Sequence, residues 1–311
     1  QQIDFSRYIK EWAVKYGFSA QQAKAEIDKW IAEAEQRNDP YQLGLAAYVK
    51  KNFGQASTQF LQSAENKAKA ITKSVVQMQQ LREEAVRDFR LAGEAQYNNY
   101  KFSEALIAYQ RAKGLVSKKE NPRLWAEIHF DIGKANTEIG IRTEGSAIHK
   151  VLADAVSSYH EALTIITKEQ LPQQWAATQN GLGSVLSEQG IRTFGEAGIF
   201  QLAQAVIAYQ EALKIITKGQ FPQEWATVQQ NLATTLTDQG CRTEGEEGGQ
   251  FLTDAVNAFR EALAIISKEQ LPQDWATTQN NLARALREQG IRTGGNDAAR
   301  LLAAAVTAHT Q

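Results

Sequence analysis

Apolar residues recur along most of the chain at steps of three and four, the spacing of one face of an α-helix. The clearest set comprises Leu202, Ala205, Val206, Tyr209, Ala212, Leu213 and Ile216. Runs of alternating β-branched residues, which would indicate strands, do not compete with this pattern. The pattern therefore predicts an all-α protein.

A period of 50 residues governs the positions of the rarest residue types. Proline, tryptophan and glycine each recur at this interval, at Pro122, Pro172, Pro222 and Pro272, at Trp125, Trp175, Trp225 and Trp275, and at Gly140, Gly190, Gly240 and Gly290. Residues 171–190 match residues 271–290 at 13 of 20 positions. A fixed period of this size predicts a solenoid, in which each repeat covers the apolar face of its neighbour.

Each 50-residue repeat is predicted to contain two helices. Proline suits the first position of the first helix, because the backbone donor that it lacks would be unpaired there. In the repeat that begins near Pro172, Gly190 is expected to end this helix as a left-handed cap. A loop of about ten residues is then expected before the second helix, which carries the apolar face from Leu202 to Ile216.

Small and aromatic residues keep a second regular spacing in both halves of the chain. A pair that ends in glycine precedes an alanine, an aromatic residue and usually another alanine, at Leu43, Gly44, Ala56 and Phe60, at Ala92, Gly93, Ala105, Tyr109 and Ala112, and at Leu182, Gly183, Ala205, Tyr209 and Ala212. In the first of these sets Ser63 replaces the final alanine. This spacing resembles the tetratricopeptide repeat (TPR). The resemblance implies a right-handed α-solenoid of helix pairs, with the first helices lining a concave face.

Asparagines also recur in the first helices of the 50-residue repeats. They stand at Asn180, Asn231, Asn280 and Asn281. In this respect the chain resembles the kinesin light chain and related Leu-Gly-Asn subgroups of the TPR family, whose asparagines clamp peptide backbones. Gly181 occupies the place of Asn231 in the preceding repeat and interrupts the series.

The patterns divide the chain into three predicted parts. These are an N-terminal helical hairpin that caps the array at 1–39, two TPR-like repeats at 40–118, and TPR-like 50-residue repeats at 119–311, the last of them incomplete. The first hairpin helix would carry Phe5, Tyr8, Ile9, Trp12 and Tyr16 on one face, and Ser19 with Gln22 would cap the second. Residues 53–97 are interpreted as two helices joined near 71–74 rather than one long helix.

Charge and composition argue against several classes of function. The chain has 34 Lys and Arg against 35 Asp and Glu, a formal net charge of −1, which does not fit a nucleic-acid partner. Cys241 is the single cysteine, and the four histidines share no ligand spacing, so no metal site is predicted. Cys241 is expected to be a small buried apolar group. No catalytic residue set or cofactor motif stands out, and we expect a protein that is not an enzyme and needs no cofactor.

The chain carries no apolar run near the ~18–20 residues that span a bilayer, and its first residues do not have the pattern expected of a signal peptide. We therefore expect no membrane association and a cytoplasmic location. Because the first residue is Gln1 rather than methionine, we expect a fragment or a processed form.

An arginine–threonine pair follows each of the recurrent glycines. The arginines are Arg142, Arg192, Arg242 and Arg292. In one interpretation they donate to exposed carbonyls at the preceding helix end or pair with nearby carboxylates. In the other they form a row of guanidinium groups that binds acidic peptides or phosphates. The regular recurrence favours the structural role.

A peptide-binding groove is predicted along the first helices of the last three repeats. Its candidate residues are Asn180, Ser184, Thr227, Gln230, Asn231, Thr234, Thr277, Asn280, Asn281, Arg284 and Arg287, and the same phase adds Ser187 and Thr237. Amides and hydroxyls at one-turn spacing can donate to and accept from an extended backbone. The two arginines would favour an acidic ligand near the C-terminal end. In the alternative interpretation the asparagines only bond neighbouring helices.

The last helix would leave Leu301, Leu302, Ala305 and Val306 without a following repeat. Either further repeats follow or this end docks, including by self-association. The sequence therefore predicts a protein-interaction scaffold that binds a peptide or partner domain on its concave face. The alternative is an assembly or regulatory segment, intramolecular or self-associating, of a larger multidomain protein. The family resemblance implies a bacterial signalling or protease-associated protein for that case.

Overall fold

The computed structural model describes residues 20–70 and 78–310, which contain thirteen helices and no strand. The chain divides into two compact units, residues 1–135 and 136–311. The helices of the first unit are α1 (Ala20–Arg37), α2 (Pro40–Val49), α3 (Phe53–Ala70), α4 (Met78–Asn98) and α5 (Phe102–Gly114), and the division falls inside α6 (Pro122–Arg142). The all-α prediction is confirmed for the described residues.

In the second unit, helices that begin at proline alternate with the second helices of the repeats. The first of these second helices begins at alanine, and the others begin at glycine. The helices of this unit are α7 (Ala147–Leu163), α8 (Pro172–Arg192), α9 (Gly195–Leu213), α10 (Pro222–Arg242), α11 (Gly245–Leu263), α12 (Pro272–Arg292) and α13 (Gly295–Thr310). Helices adjacent in sequence pack against each other from α1 to α5 and from α7 to α13. The predicted repeat of two helices is therefore confirmed for the described residues.

The connection inside each repeat is much shorter than expected. Only Thr193 and Phe194 separate α8 from α9, so the predicted ten-residue loop is wrong. Gly190 does not end its helix either, because α8 continues to Arg192. Glycine is required there because a Cβ on Gly190 would lie 2.7 Å from Cγ of Leu202 on α9. The left-handed residue is Gly195, with φ +69°, at the start of the second helix.

Close approach of paired helices also explains the glycine that precedes each aromatic residue. A Cβ on Gly183 would lie 2.8 Å from Cε1 of Tyr209, and one on Gly44 would lie 2.6 Å from Cδ1 of Phe60. Later residues of α8 thus face earlier residues of α9, since Gly190 meets Leu202 and Gly183 meets Tyr209. The two helices of the repeat are antiparallel.

The recurrent tryptophans lie under lysines that the sequence reasoning missed. Trp225 is buried with Ala262 and Ile266, and the Nζ of Lys218 lies 5.3 Å from the centroid of its ring. The same contact occurs at Lys118 with Trp125, Lys168 with Trp175, and Lys268 with Trp275. Cation–π contact fits a site where one ring face is dry and the other meets solvent. A lysine seven residues before every recurrent tryptophan was the available signal.

Residues 53–97 contain parts of two helices, as expected, because α3 and α4 pack side by side. The hydroxyl of Ser63 donates to Oδ2 of buried Asp88, and Nζ of Lys67 lies 2.6 Å from the same oxygen. The serine that departs from the TPR pattern therefore provides a partner for a buried carboxylate. The predicted junction at 71–74 lies outside the described residues.

Only the second helix of the predicted N-terminal hairpin is described. It is α1, which packs on α2 and buries Ile31 and Ala34 against Ala46. The predicted stripe at Phe5, Tyr8, Ile9, Trp12 and Tyr16 and the cap at Ser19 lie outside the described residues. The division at 39 and 118 stays a prediction.

Candidate functional site

The candidate groove residues occupy one side of α8, α10 and α12, the first helices of the last three repeats. On α10 the apolar residues Val228, Leu232 and Leu236 are buried against the neighbouring helices. The helical period turns another side outward, where Thr227 is exposed and Thr234 is half-buried. We call this side of the three helices the polar stripe, and it comprises Asn180, Ser184, Thr227, Gln230, Asn231, Thr234, Thr277, Asn280 and Arg284.

Amides of the polar stripe connect one first helix to the next. Nδ2 of Asn231 donates to Oδ1 of Asn180 over 3.3 Å. Nε2 of Gln230 donates to Oγ1 of Thr278 and to the carbonyl of Asp274, the latter over 3.4 Å. These contacts match the alternative interpretation in which amides bond neighbouring helices, although each amide uses only part of its capacity.

Hydroxyls of the polar stripe donate to their own helices. Each bonds the carbonyl oxygen four residues earlier, over 3.1 Å for Ser184, 3.1 Å for Thr227, 2.9 Å for Thr234 and 2.9 Å for Thr277. A hydroxyl has one proton to donate and two lone pairs to accept with. Ser184 also accepts from the hydroxyl of Tyr209 over 3.2 Å, so the three threonines are the hydroxyls that present acceptors to the outside.

Both arginines of the predicted site are paired with carboxylates. Nη2 of Arg284 lies 2.5 Å from Oδ1 of Asp238, and Nη2 of Arg287 lies 2.7 Å from Oε1 of Glu288. Burial lowers the pKa of Arg284, but the hydrogen bond and charge of Asp238 more than offset it, so that the pKa is raised. Because these charges are already balanced locally, they give little support to an acidic ligand at this end.

A cavity of about 590 Å³ lies between α12 and α13. It is lined by Asn280, Ala283, Arg284, Arg287, Leu302, Ala305 and Val306. Leu302 is 39% exposed and Val306 is 65% exposed, whereas their counterparts one repeat earlier, Leu252 and Val256, are 0% and 3% exposed. The cavity therefore joins three predicted site residues to apolar groups that are buried elsewhere in the array. Asn281, also predicted, is half-buried and has no hydrogen-bond partner among the described residues.

Two residues in the predicted phase of the groove are not available to a ligand. Ser187 and Thr237 are buried, and Oγ of Ser187 lies 2.9 Å from Oγ1 of Thr235. Ser187 lies where α8 meets α10, and Thr237 donates to Ala233 of its own helix, so fewer hydroxyls are open to a ligand than the sequence predicted. In the sequence, the small size of these two hydroxyl residues, one turn from the stripe, was a weak indication that they contact a neighbouring helix.

The recurrent arginines join consecutive repeats. Arg242 donates to the carbonyls of Gly190, Ile191 and Thr193 over 2.6, 2.6 and 2.9 Å. Arg192 donates to Ile141, and Arg292 to Cys241 and Thr243, in the same way. These carbonyls are at the end of the first helix of the preceding repeat, where helical partners are lacking. The structural interpretation is confirmed, and these three guanidinium groups are occupied.

The structure offers little for covalent or metal chemistry. Among the described residues, no group of three His, Cys, Asp or Glu side chains is placed to hold a metal ion. Cys241 is half-buried rather than buried, and burial raises the pKa of its thiol, which disfavours the nucleophilic thiolate. Across the described ranges, no helix combines the length and apolar character needed to cross a membrane.

Comparisons with known proteins give only distant structural likenesses. No protein-family model matches the chain, and no curated protein matches it. Similar solved structures include BtubC (BKLC) from P. vanneervenii, with TM-score 0.49 and 17% identity over 82% of this chain and 91% of that chain. The TPR2AB domain of yeast Sti1 in a complex with pHSP90 has TM-score 0.31 and 16% identity over 90% and 99% of the two chains. A circular tandem repeat protein has TM-score 0.35 and 13% identity over 98% and 81%. At TM-scores of 0.49 and lower, the fold assignment rests on the helix packing of this chain.

Proposed function

We propose that this protein is a non-enzymatic interaction scaffold whose polar stripe binds a peptide or an extended segment of a partner domain. The observation that supports this proposal is the uncharged polar character of one side of α8, α10 and most of α12, at one-turn spacing. Such a surface suits recognition of backbone groups, which carry both donors and acceptors.

The hydrogen-bond capacity that remains on the stripe supports the same function. Thr227 and Thr234 spend their protons on their own helix and keep lone pairs for an incoming N–H group. Asn180 accepts from Asn231 and keeps its amide protons for an incoming carbonyl. On α8 and α10 the stripe thus offers both acceptors and donors and no charged side chain that would select against most sequences.

The test uses peptides selected from a random library against the intact chain. We expect the triple variant Thr227→Ala, Thr234→Ala and Thr277→Ala to bind them at least about tenfold more weakly, since each lost contact is worth about 0.5–1.5 kcal/mol. Ala177 already occupies the place of Thr227 and Thr277 in α8, so this fold accepts alanine there. Isothermal titration measures the affinity, and far-UV circular dichroism checks the fold.

A matched control is Asn257→Ala, an exposed polar residue on the second helix α11. It should leave the affinity unchanged. Equal binding by the triple variant, or failure to select any peptide, would contradict the proposed groove.

A second candidate is an assembly role, and the exposed Leu302 and Val306 favour it. Val256, the counterpart of Val306 one repeat earlier, is buried in one cluster with Leu282 and Leu286 of the next first helix, so a second copy of the chain would supply an equivalent cover. We then expect sedimentation velocity to show a dimer that Val306→Glu dissociates. A monomer at the highest attainable concentration would count against this role.

A further inference from the structure

Helix α9 carries large apolar residues on its outside where the second helices of the other repeats do not. Phe194, Phe200 and Ile207 are 94%, 64% and 50% exposed. The corresponding residues of the other repeats are Glu144, Glu244 and Gly294, then Lys150, Gln250 and Arg300, and finally Ser157, Asn257 and Thr307. We call Phe194, Phe200 and Ile207 the outer patch.

Two residues of the outer patch share one side of the helix. Phe200 and Ile207 are seven residues apart, two turns of the same face, and that face is opposite to the one that buries Leu202 and Tyr209. Phe194 immediately precedes the first turn. Together they extend over roughly 15–20 Å of surface at 1.5 Å per helical residue.

Folding does not require the outer patch. Helix α11 has the same length and the same buried face, with Leu252, Ala255 and Phe259 in place of Leu202, Ala205 and Tyr209. It forms with polar or charged residues at all three outer positions. Exposed aromatic residues carry no packing benefit here, and such groups commonly mark interaction surfaces.

The charges around the outer patch are negative. Glu196, one turn before Phe200, has no ion-pair partner within the described residues, and the same is true of the exposed Glu144 and Glu244. Glu144 and Glu244 lie between the two helices of the preceding and of the following repeat. Arginines hold these connecting segments next to the segment that precedes α9. Arg192 reaches the carbonyl of Ile141, and Arg242 reaches that of Thr193.

The positive charges of the same edge are directed elsewhere. Nη1 and Nη2 of Arg242 contact carbonyl oxygens at 2.6–2.9 Å, and Nε of Arg192 bonds the carboxylate of Glu188. Nζ of Lys150, in the preceding repeat, lies 3.3 Å from Oδ2 of Asp154, so the charges at this edge that lack an ion-pair or hydrogen-bond partner among the described residues are those of glutamates.

We propose that the outer patch is a docking surface for a basic amphipathic segment of a partner protein. Aliphatic or aromatic side chains of that segment cover Phe200 and Ile207, while its lysines or arginines face Glu144, Glu196 and Glu244. A second copy of this chain would bring like charges together at the patch, and an anionic lipid surface would be repelled by the same glutamates.

The probe is a fluorescein-labelled peptide of about five helical turns with leucine on one face and lysine on the other. We expect fluorescence anisotropy to show binding that weakens as salt is raised, because exposed charges are screened. The variant Phe194→Glu, Phe200→Gln and Ile207→Asn, which copies the residues of α11, should bind at least tenfold more weakly. Because this variant adds a negative charge, non-specific attraction of the lysine peptide would strengthen binding rather than weaken it.

Three controls keep the experiment specific. Ile107→Ser removes an exposed isoleucine of the first unit and should not change the affinity. A leucine–glutamate peptide of the same length should not bind. The groove variant Thr227→Ala, Thr234→Ala and Thr277→Ala should retain full binding, so that failure here is distinguishable from failure of the proposed function.

Several results would overturn the proposal. Equal affinity of wild type and the three-residue outer variant would do so, as would equal binding of the glutamate peptide. Cosedimentation with phosphatidylcholine–phosphatidylserine vesicles that depends on the two phenylalanines would assign the patch to lipid. A dimer in analytical ultracentrifugation that is lost in the outer variant would assign it to a second copy. Circular dichroism and thermal unfolding of the variant should match the wild type.

Discussion

The two units connect neighbouring helices with different chemistry. In the first unit, Arg90 on α4 lies 2.8 Å from Asp131 and 2.7 Å from Glu127, both on α6. In the second unit, amides join first helices, as in the bond from Asn231 to Asn180, arginines donate to backbone carbonyls, and one arginine of α12 pairs with a carboxylate of α10. Charged hydrogen bonds are individually stronger, but they tie stability to pH and to both partners being present. Uncharged links tolerate the substitution of one polar residue by another, which suits a repeat whose residues differ from copy to copy.

The same contrast bears on where binding takes place. In the first unit, Arg87 lies 4.2 Å from the ring centroid of Tyr41 and Lys134 lies 4.5 Å from that of Tyr97. These cations already have partners within the chain. The polar stripe of the second unit keeps unused donors and acceptors, and for this reason we place the proposed peptide site there.

The largest effect is expected from the apolar contacts that repeat through the second unit. Trp225→Ala should lower the free energy of unfolding by about 3–5 kcal/mol, because it removes a buried aromatic side chain from among Ala262 and Ile266. Trp275 is only half-buried, and Trp275→Ala should cost less. Urea denaturation followed by circular dichroism measures both. Equal losses would mean that Trp225 and Trp275 are buried to the same extent, in contrast to the structure.

A smaller loss should follow from breaking the charged link of the first unit. Arg90→Ala leaves Asp131 and Glu127 without their shared cation, and removing one member of a fully buried pair costs about 3–5 kcal/mol. Because the Arg90 side chain is 27% exposed, we expect roughly 2–3 kcal/mol. Arg90→Lys keeps the charge but cannot reach both carboxylates in the same geometry. Its free energy of unfolding should therefore fall between those of the wild type and Arg90→Ala. A neutral result for alanine would show that the charged link is not a stabilising feature of this unit.

Arginine links in the second unit should matter less, because their acceptors are partly solvated. Arg242→Ala removes three hydrogen bonds to the end of α8, and we expect a loss of about 1–2 kcal/mol. The matched control is Arg260→Ala on α11, an exposed arginine without an ion-pair partner among the described residues, which should stay within about 0.5 kcal/mol. If both variants lose the same amount, the contacts between repeats at this edge are incidental.

The repeat period predicted most of the fold because each recurrent residue has one dominant physical role. Proline begins a helix and Trp225 fills an interface, and both roles depend mainly on local sequence. Gly190 was misinterpreted because glycine serves equally for a left-handed cap and for close approach, and only the position of Leu202 distinguishes them. The ten-residue loop was wrong at both ends, because α8 continues two residues past Gly190 to Arg192 and α9 already begins at Gly195.

The candidate site was less predictable than the fold. Sequence phase placed Thr227 correctly on the outside, but it also placed Ser187 and Thr237 there. A small polar side chain suits both a groove and a tight contact between helices, so composition cannot separate the two cases. The outer patch was missed for a simpler reason: Phe200 fits the helical apolar pattern unless it is compared with Lys150 and Gln250.

The finest test of the contrast between units is its dependence on pH. Burial raises the pKa of Asp131 above its ordinary 3.8, against the lowering effects of Arg90 and Lys134. A carboxyl group whose pKa is higher in the folded state stabilises that state at low pH, and this contribution is lost as pH rises from about 4 through the raised value. In Asp131→Asn the titration is absent. The difference in free energy of unfolding, wild type minus variant, should therefore decrease over that pH window and then level off. The total decrease should be smaller than the losses predicted above. Urea unfolding at several pH values measures it. A difference that rises instead would show that Arg90 and Lys134 together outweigh burial at Asp131.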